Sequence, residues 1–228
     1  MIAVAESISV IIPALNEAGV IAETLQALQP VRAVGEIIVV DGGSRDRTAD
    51  VARPLCDRVI VSPPGRAMQM NHGARHARGR IFWFVHADTL APRGAADEIQ
   101  RALRVGRRQW GRFDVRLSGR HPLLRVVERM MNLRSHLSGI ATGDQGIFVR
   151  RTAFDAVEGF PEQPLMEDIA ISRRLRRISR PARARTPLLT SSRRWETHGV
   201  LRTILLMWYL RAAYALGASP ARLARRYK

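Results

Sequence analysis

At 228 residues with 46% hydrophobic side chains, the chain can bury one sizeable core but not two independent ones. A single cysteine, Cys56, excludes an intrachain disulfide framework and a cysteine-based zinc site. The net charge of +17 raises nucleic acid as a partner, but its distribution argues against one: residues 1–100 hold 10 Arg and 11 acids, residues 101–228 hold 27 Lys+Arg and 9 acids, and the arginine clusters are not interleaved with aromatics that could stack on bases.

Residues 1–6 lack a basic stretch followed by an apolar one, so a cytoplasmic chain without a leader is expected. Residues 7–12 read as a buried strand stopped by Pro13. Val20, Ile21, Leu25 and Leu28 then stand at helical spacing and put a helix over 17–28. The unit repeats as strand 36–40, a Gly42-Gly43-Ser44 turn and helix 46–52, with Ser44 or Asp46 as its cap. It repeats again as strand 58–61, a Pro63-Pro64-Gly65 turn and helix 68–77, followed by strand 81–85. Strands alternating with short helices predict an α/β fold, a mostly parallel sheet with right-handed crossovers flanked by helices.

Beyond Thr89 the rhythm loosens into helix 93–104, strand 110–117, helix 123–137, strand 146–150 and helix 166–178, which ends before Pro181. Residues 199–217 form an apolar helix carrying Arg202 and Arg211. It is marginal in length for a membrane span and its two arginines are expensive at mid-membrane. Nine residues apart, they project to opposite sides, so a packed helix, a dimer contact and a membrane-surface anchor all stay open.

Two of the strands run into acids, at Asp41-Gly42-Gly43-Ser44 and at His86-Ala87-Asp88. Ligands of open α/β sheets bind in the crevice beyond the carboxyl ends of the strands, so Asp41 and Asp88 point at one polar ligand, with a metal a natural companion. Each signal taken singly has a plainer reading: Asn16-Glu17 as a helix cap, Asp41-Gly42-Gly43-Ser44 as a tight turn, and Glu167-Asp168 as a helix start favoured by the macrodipole.

Order and spacing separate these readings. Ser9-Val10-Ile11-Ile12-Pro13-Ala14-Leu15-Asn16-Glu17, Val39-Val40-Asp41-Gly42-Gly43-Ser44-Arg45-Asp46-Arg47-Thr48, His86-Ala87-Asp88, Glu167-Asp168 and Arg194-Trp195 closely resemble the inverting family-2 glycosyltransferases of the GT-A fold, over nearly the whole chain. Gly65-Arg66-Ala67-Met68-Gln69-Met70-Asn71, Thr142-Gly143-Asp144-Gln145-Gly146 and Ser192-Arg193-Arg194-Trp195-Glu196 resemble one small bacterial subgroup, associated with radical-SAM or seleno-domain proteins.

The resemblance implies a GT-A, Rossmann-like α/β domain over 1–190, with a nucleotide-binding half (1–90) and an acceptor half (91–190). A basic and apolar helical extension (191–228) would pack on the same domain. It also implies hexosyl transfer from a nucleotide-diphosphate sugar, UDP-sugar favoured, to an unidentified acceptor hydroxyl. Pro13, Glu17, Asp41 and Gly43 would hold base and ribose, with Arg66 beside the nucleotide. Asp88 would bind Mg²⁺ or Mn²⁺, hard ions that bridge phosphate oxygens and draw charge from the departing diphosphate.

In this chain His86 stands where the family carries the first acid of acid-x-acid. A hydrogen bond to the donor side, simple packing and metal ligation are its alternatives, the last least suited to imidazole. His198 is a second candidate ligand. Asp168 would be the base that deprotonates the acceptor, with Glu167 orienting it or exchanging roles with it. Asp144 and Gln145 would line the acceptor side, Asp144 alternatively serving a turn. Arg194 would meet the diphosphate and Trp195 the acceptor, since they echo the end of Q-x-x-R-W. The glutamine is replaced by Ser191, which favours a single transfer over processive polymerisation.

The basic C-terminal part adds docking of Arg173, Arg176, Arg222, Arg225 and Arg226 on an anionic membrane beside a lipid-linked acceptor, at about 1 kcal/mol each. Residues 199–217 also suit a homodimer contact. A catalytically silent nucleotide-binding scaffold is the alternative function.

Overall fold

The computed structural model describes residues 6–227; most of the stretch on which the absence of a leader was read, residues 1–5, lies outside them. Three neighbouring parallel strands form the centre: β1 (Ile8–Ala14), β2 (Gly35–Asp41) and β4 (Ile81–Phe84), with β3 (Arg58–Val61) outside β2. Side chains alternate between faces along a strand. Accordingly Val10, Ile12, Ile37, Val39, Ile81 and Trp83 enter one core, and Ile11, Ile38, Val40, Phe82 and Phe84 the other. Burial on both faces explains why these strands read as continuous apolar runs.

The first core is closed by α1 (Ile21–Leu28), α2 (Thr48–Ala52) and α4 (Ala95–Arg104), through Leu25, Ala52, Ile99 and Leu103. The second is closed by α3 (Arg66–His76), α6 (Arg151–Ala156) and α7 (Glu167–Ile178), through Met70, Phe154 and Leu175. The sheet continues through β7 (Phe148–Arg150), β6 (Trp110–Leu117), β8 (Ala182–Thr190) and β5 (Thr89–Leu90), in the order β3-β2-β1-β4-β7-β6-β8-β5. β7 runs antiparallel to both neighbours, whereas β6 and β8 are parallel. α5 (Pro122–Ser138) packs on β6, and α8 (Arg193–His198), α9 (Val200–Ala215) and α10 (Pro220–Tyr227) complete the chain. No helix among the described residues is long and apolar enough to cross a membrane.

The expected strands and helices lie where their periodicity puts them, with three instructive differences. β1 continues through Pro13 to Ala14. Ile11 accepts from Val85 N–H on the β4 side, so Pro13, two residues on, turns its missing donor to the same side, past the end of β4 pairing at Phe84. The helix expected from residue 17 begins at Ile21, because Asn16 adopts a left-handed φ of 56° and residues 17–20 form a turn. β8 was not anticipated at all. Its Ala-Arg-Ala-Arg start is weakly apolar and it contains Pro187, accommodated where the register with β6 slips between Phe113↔Ala184 and Val115↔Leu188.

Close approach of α3 to the sheet depends on Gly73. A Cβ there would lie 2.5 Å from Ile11 Cγ2 and 2.9 Å from Val40 Cγ2, both on buried strands that cannot retreat. Replacing a helical glycine by alanine gains about 1 kcal/mol of propensity, while overpacking a tight core costs about 1–3 kcal/mol. Gly73→Ala is therefore expected to lower stability, read as a lower denaturation midpoint at unchanged m-value.

Candidate functional site

The carboxyl ends of β1, β2 and β4 open into loops that bind one another. Asn16 N–H donates to Ser44 Oγ (2.9 Å), Arg45 N–H to Asn16 Oδ1 (2.8 Å), Glu17 N–H to Thr48 Oγ1 (2.8 Å) and Ala18 N–H to Asp46 Oδ2 (3.1 Å). Gln69 on α3 reaches beneath them, its Nε2 donating to Ala14 O and Val40 O at 2.8 Å each. This cross-bracing sets the height of Glu17, whose carboxylate accepts from Arg193 Nη2 at 3.1 Å.

Above the strand ends lies a cavity of about 290 Å³. It brings together Pro13, Glu17, Arg66, His86, Asp88, Asp144, Arg194 and Trp195, eight of the residues expected from sequence. Glu167 and Asp168 line an adjoining hollow with Arg66, His86 and Gly143. Four expected residues are not brought to the cavity. Asp41 is buried, both of its oxygens accepting from Ser44 N–H, with Ser44 Oγ also bonded to it. Gly43 serves the same turn at a φ of 86°. Gln145 is fully buried and accepts from Thr142 N–H at 3.2 Å. His198 is exposed, its Nδ1 3.1 Å from Arg194 O.

The floor is a charge network. Asp168, at the start of α7, accepts from Gly143 N–H (2.9 Å) and Ile169 N–H (2.7 Å), fastening the 143–145 turn to the helix. That turn carries Asp144, whose Oδ1 lies 3.3 Å from His86 Nδ1. Enclosure drives the Asp144 carboxyl upward, but the His86 hydrogen bond, Arg66 and Arg211 outweigh it and hold it below the ordinary carboxylate range. Glu167 goes the other way. Burial and the adjacent Asp168 raise its pKa even though Arg66 Nη1 stands 3.6 Å from Oε1. Arg66, opposed by desolvation but surrounded by Glu167, Tyr227, Asp144 and Asp168, is held more firmly protonated than usual.

His86 has a defined place in this floor. Its Nε2 is buried without a partner among the described residues, and a Cβ on Gly143 would sit 2.4 Å from that atom. The ring thus packs closely against Gly143 while Nδ1 faces Asp144.

The C-terminal helices supply a wall that sequence reasoning largely missed. Thr203 and Met207 of α9 and Tyr227 of α10 line the cavity. The Arg194 guanidinium lies 3.6 Å over the Tyr227 ring and donates to Tyr227 O at 2.6 Å, so it reaches the cavity edge while braced by α10. Burial lowers the pKa of Arg211 on α9 against the pull of Asp168 and Asp144, and pushes that of Arg134 on α5 down to about 10. Opposite projection of Arg202 and Arg211 is the signal that could have found Arg211; nothing local distinguishes Tyr227.

Among the described residues no group of three or more His, Cys, Asp or Glu side chains is placed to hold a metal. A hard divalent ion bound through one carboxylate, with diphosphate and water oxygens completing its shell, needs no such group, and Asp88 at the cavity wall fits that donor set.

Comparison with known proteins gives the same direction. The family described as Glycosyl transferase family 2 matches residues 9–154. A Bacillus subtilis (strain 168) protein described as Probable glycosyltransferase YdaM is 34% identical over 94 residues, 36% of this chain and 22% of its own length. S. aureus TarS 1-349 in complex with UDP-GlcNAc superposes with a TM-score of 0.66 at 18% identity, covering 81% of this chain and 58% of that one. Mannosyltransferase PcManGT from Pyrobaculum calidifontis, in complex with GDP-Man and Mn2+, gives 0.62 at 23% identity, covering 83% and 57%. Glucosyl-3-phosphoglycerate synthase from Mycobacterium tuberculosis, in complex with Mn2+ and UDP-Glc, gives 0.61 at 23% identity, covering 81% and 70%. The chain thus spans under two thirds of YdaM, TarS and PcManGT. The fold is that of the GT-A glycosyltransferases, and the chain belongs to glycosyl transferase family 2.

Proposed function

We propose that this protein is a metal-dependent, inverting glycosyltransferase that moves one sugar from a nucleoside-diphosphate donor, UDP-sugar favoured, to an acceptor hydroxyl. The observation that carries the reading is the single cavity in which Asp88, Arg66 and Arg194 converge at the carboxyl ends of β1 and β4. An anionic diphosphate needs positive charge and a carboxylate-held ion in one place, and guanidinium groups offer planar paired donors to its oxygens. The UDP-sugar complex of TarS and the Mn2+ complexes of the two other structural neighbours support the donor class and the ion.

The division of labour follows the chain. Residues 1–90 would hold the nucleotide, with Pro13 and Glu17 beside the base and ribose, and residues 91–190 the acceptor, with Asp144 and Trp195 at its edge. When bound at Asp88, Mg²⁺ or Mn²⁺ would neutralise charge gathering on the leaving diphosphate. Asp168 would accept the acceptor proton. Its oxygens are fixed by two backbone N–H groups, which sets the direction of the remaining lone pairs. Glu167, buried against Arg66, would keep both partners oriented. The Gly65–Asn71, Thr142–Gly146 and Ser192–Glu196 motifs favour the small radical-SAM-associated subgroup. The basic C-terminal part favours peripheral contact with an anionic membrane and a lipid-linked acceptor.

Three outcomes test this reading. A nucleoside diphosphate should raise Tm only with Mn²⁺ present, and Asp88→Ala should abolish the rise, since a ligand stabilises only the state that binds it. Loss of the Mn²⁺ effect in the parent protein would refute the donor site. Asp168→Asn should lower kcat by about 10²–10⁴ with nucleotide binding retained, measured as single-turnover transfer or donor hydrolysis. Glu167→Gln should raise Tm at neutral pH. The folded-state pKa of Glu167 is raised, so the native state binds more protons than the unfolded one as pH climbs through the interval between the two values, and stability is lost there. Glutamine removes that loss, so the advantage of the variant should vanish near pH 4 and appear as pH rises.

A further inference from the structure

Two neighbouring helices carry apolar stripes that nothing among the described residues covers. On α9, Leu201, Leu205 and Trp208 are 64%, 65% and 61% exposed, at i, i+4 and i+7 on one side of the helix. On α5, Val126, Met130, Leu133 and Leu137 repeat the spacing and are all more than half exposed. With Tyr209, these helices hold eight of the thirteen large hydrophobic residues exposed among the described residues, and Leu216 directly after α9 is a ninth, a concentration beyond ordinary surface scatter. The helices are packed together, since Val127 and Met131 of α5 share a cluster with Val200 and Ile204 of α9.

The charge around the stripes has one sign. α9 and α10 contain no acid, and the one acid of α5, Glu128, is buried against Arg125 and Leu117 N–H. Exposed cations stand on the same two helices and on α10: Arg129 on α5, Arg202 on α9, and Arg222, Arg225 and Arg226 on α10. Arg226 lies 5.3 Å from the Tyr209 ring, which ties the basic face of α10 to the edge of the α9 stripe. At 16 residues α9 is about 24 Å long, short of a hydrocarbon core of about 30 Å, so it suits lying in an interface rather than crossing it.

We infer that α5, α9 and α10 form a docking surface for an anionic lipid bilayer, with the apolar stripes entering the headgroup layer and the flanking arginines binding acidic headgroups. A second copy of the chain would meet the same cations with no acids to answer them, so charge complementarity favours the bilayer. Arg173 and Arg176 on α7 are also exposed; Arg173 lies 5.2 Å from the Tyr214 ring of α9, and Arg176 donates to Ser138 O at the end of α5. The other side of α9 presents Thr203 and Met207 to the cavity. A membrane-docked α9 therefore brings the cavity beside the lipid surface, and a hydroxyl carried on a lipid becomes the acceptor class. That last step rests on the glycosyltransferase reading; the docking surface does not.

The test is co-sedimentation of the full chain with phosphatidylcholine vesicles that contain or lack phosphatidylglycerol, at low and moderate salt. Binding should require phosphatidylglycerol and weaken with salt. The double substitution Leu205→Glu with Trp208→Glu should reduce partitioning about tenfold or more, because exposed side chains can change without unfolding the core. Arg222→Gln, Arg225→Gln and Arg226→Gln together should reduce binding and flatten its salt dependence. Parent Tm and the Mn²⁺-dependent nucleotide shift should persist in both variants. No vesicle binding at low salt, or equal binding by the Leu205→Glu, Trp208→Glu variant, would overturn the proposal. So would a dimer seen by sedimentation equilibrium that this variant dissolves while vesicles are ignored, assigning the stripes to a second copy. Vesicle binding without any nucleotide shift would leave the docking surface standing and remove the enzymatic reading.

Discussion

Burial of β1, β2 and β4 on both faces is the constraint on which the remainder of the molecule depends. Strands enclosed in this way can satisfy their backbone groups along the ladder but not where it stops, and an orphaned buried carbonyl or N–H is costly. The chain answers at the carboxyl ends with side chains. Gln69 takes the carbonyls of Ala14 and Val40, Ser44 and Thr48 receive N–H groups from the β1 loop, and Asp46 holds Ala18. The polar residues gathered for that purpose also make a rigid rim. Glu17 and Pro13 inherit fixed positions from a problem of backbone satisfaction, and that side of the cavity is organised in advance of any ligand.

The opposite side of the cavity is built on electrostatic opposition. Two carboxylates at the start of α7 sit beside Arg66, with Asp144 and His86 one turn away. A helix N-terminus favours negative charge there, yet burial and mutual repulsion leave Glu167 reluctant to ionise. Titration displaced by burial together with a specific charge partner, in a cleft, is a property that functional sites share. Asp168 resolves part of the tension by spending its oxygens on backbone N–H groups, and so ties the base candidate and the 143–145 turn into one unit.

The sequence disclosed the elements whose signal is local. Apolar runs gave the central strands, and 3.6-residue periodicity gave α1, α4, α5 and α7 to within a few residues. Order and spacing also singled out Asp88, Arg66 and Asp144, which the fold brings to one cavity. What escaped it is set by distant partners. β8 is stable because β6 and β5 flank it, despite Pro187 and two exposed arginines. Asp41 reads as a ligand-facing acid at a strand end, but in the fold it is buried and Ser44, three residues on, turns back to hydrogen-bond with it. Tyr227 sits 33 residues from Arg194 and meets it only because α8, α9 and α10 turn back over the cavity. No window of sequence contains that contact.

α9 shows how one helix reconciles these demands. A single apolar segment with two arginines looks undecided between core, partner and membrane, and a hydropathy average keeps it so. Position resolves it. Nine residues at about 100° each place Arg202 and Arg211 half a turn apart. Arg211 is drawn inward, where Asp168 and Asp144 offset only part of its desolvation. Arg202 remains exposed beside Leu201 and Leu205. The inward side therefore contributes charge near the cavity floor and Thr203 and Met207 to the cavity wall, while the outward side keeps an apolar stripe with an exposed arginine beside it. One helix thus lines a cavity with one face and carries exposed apolar side chains on the other, which is why no single polar stripe marks it in the sequence.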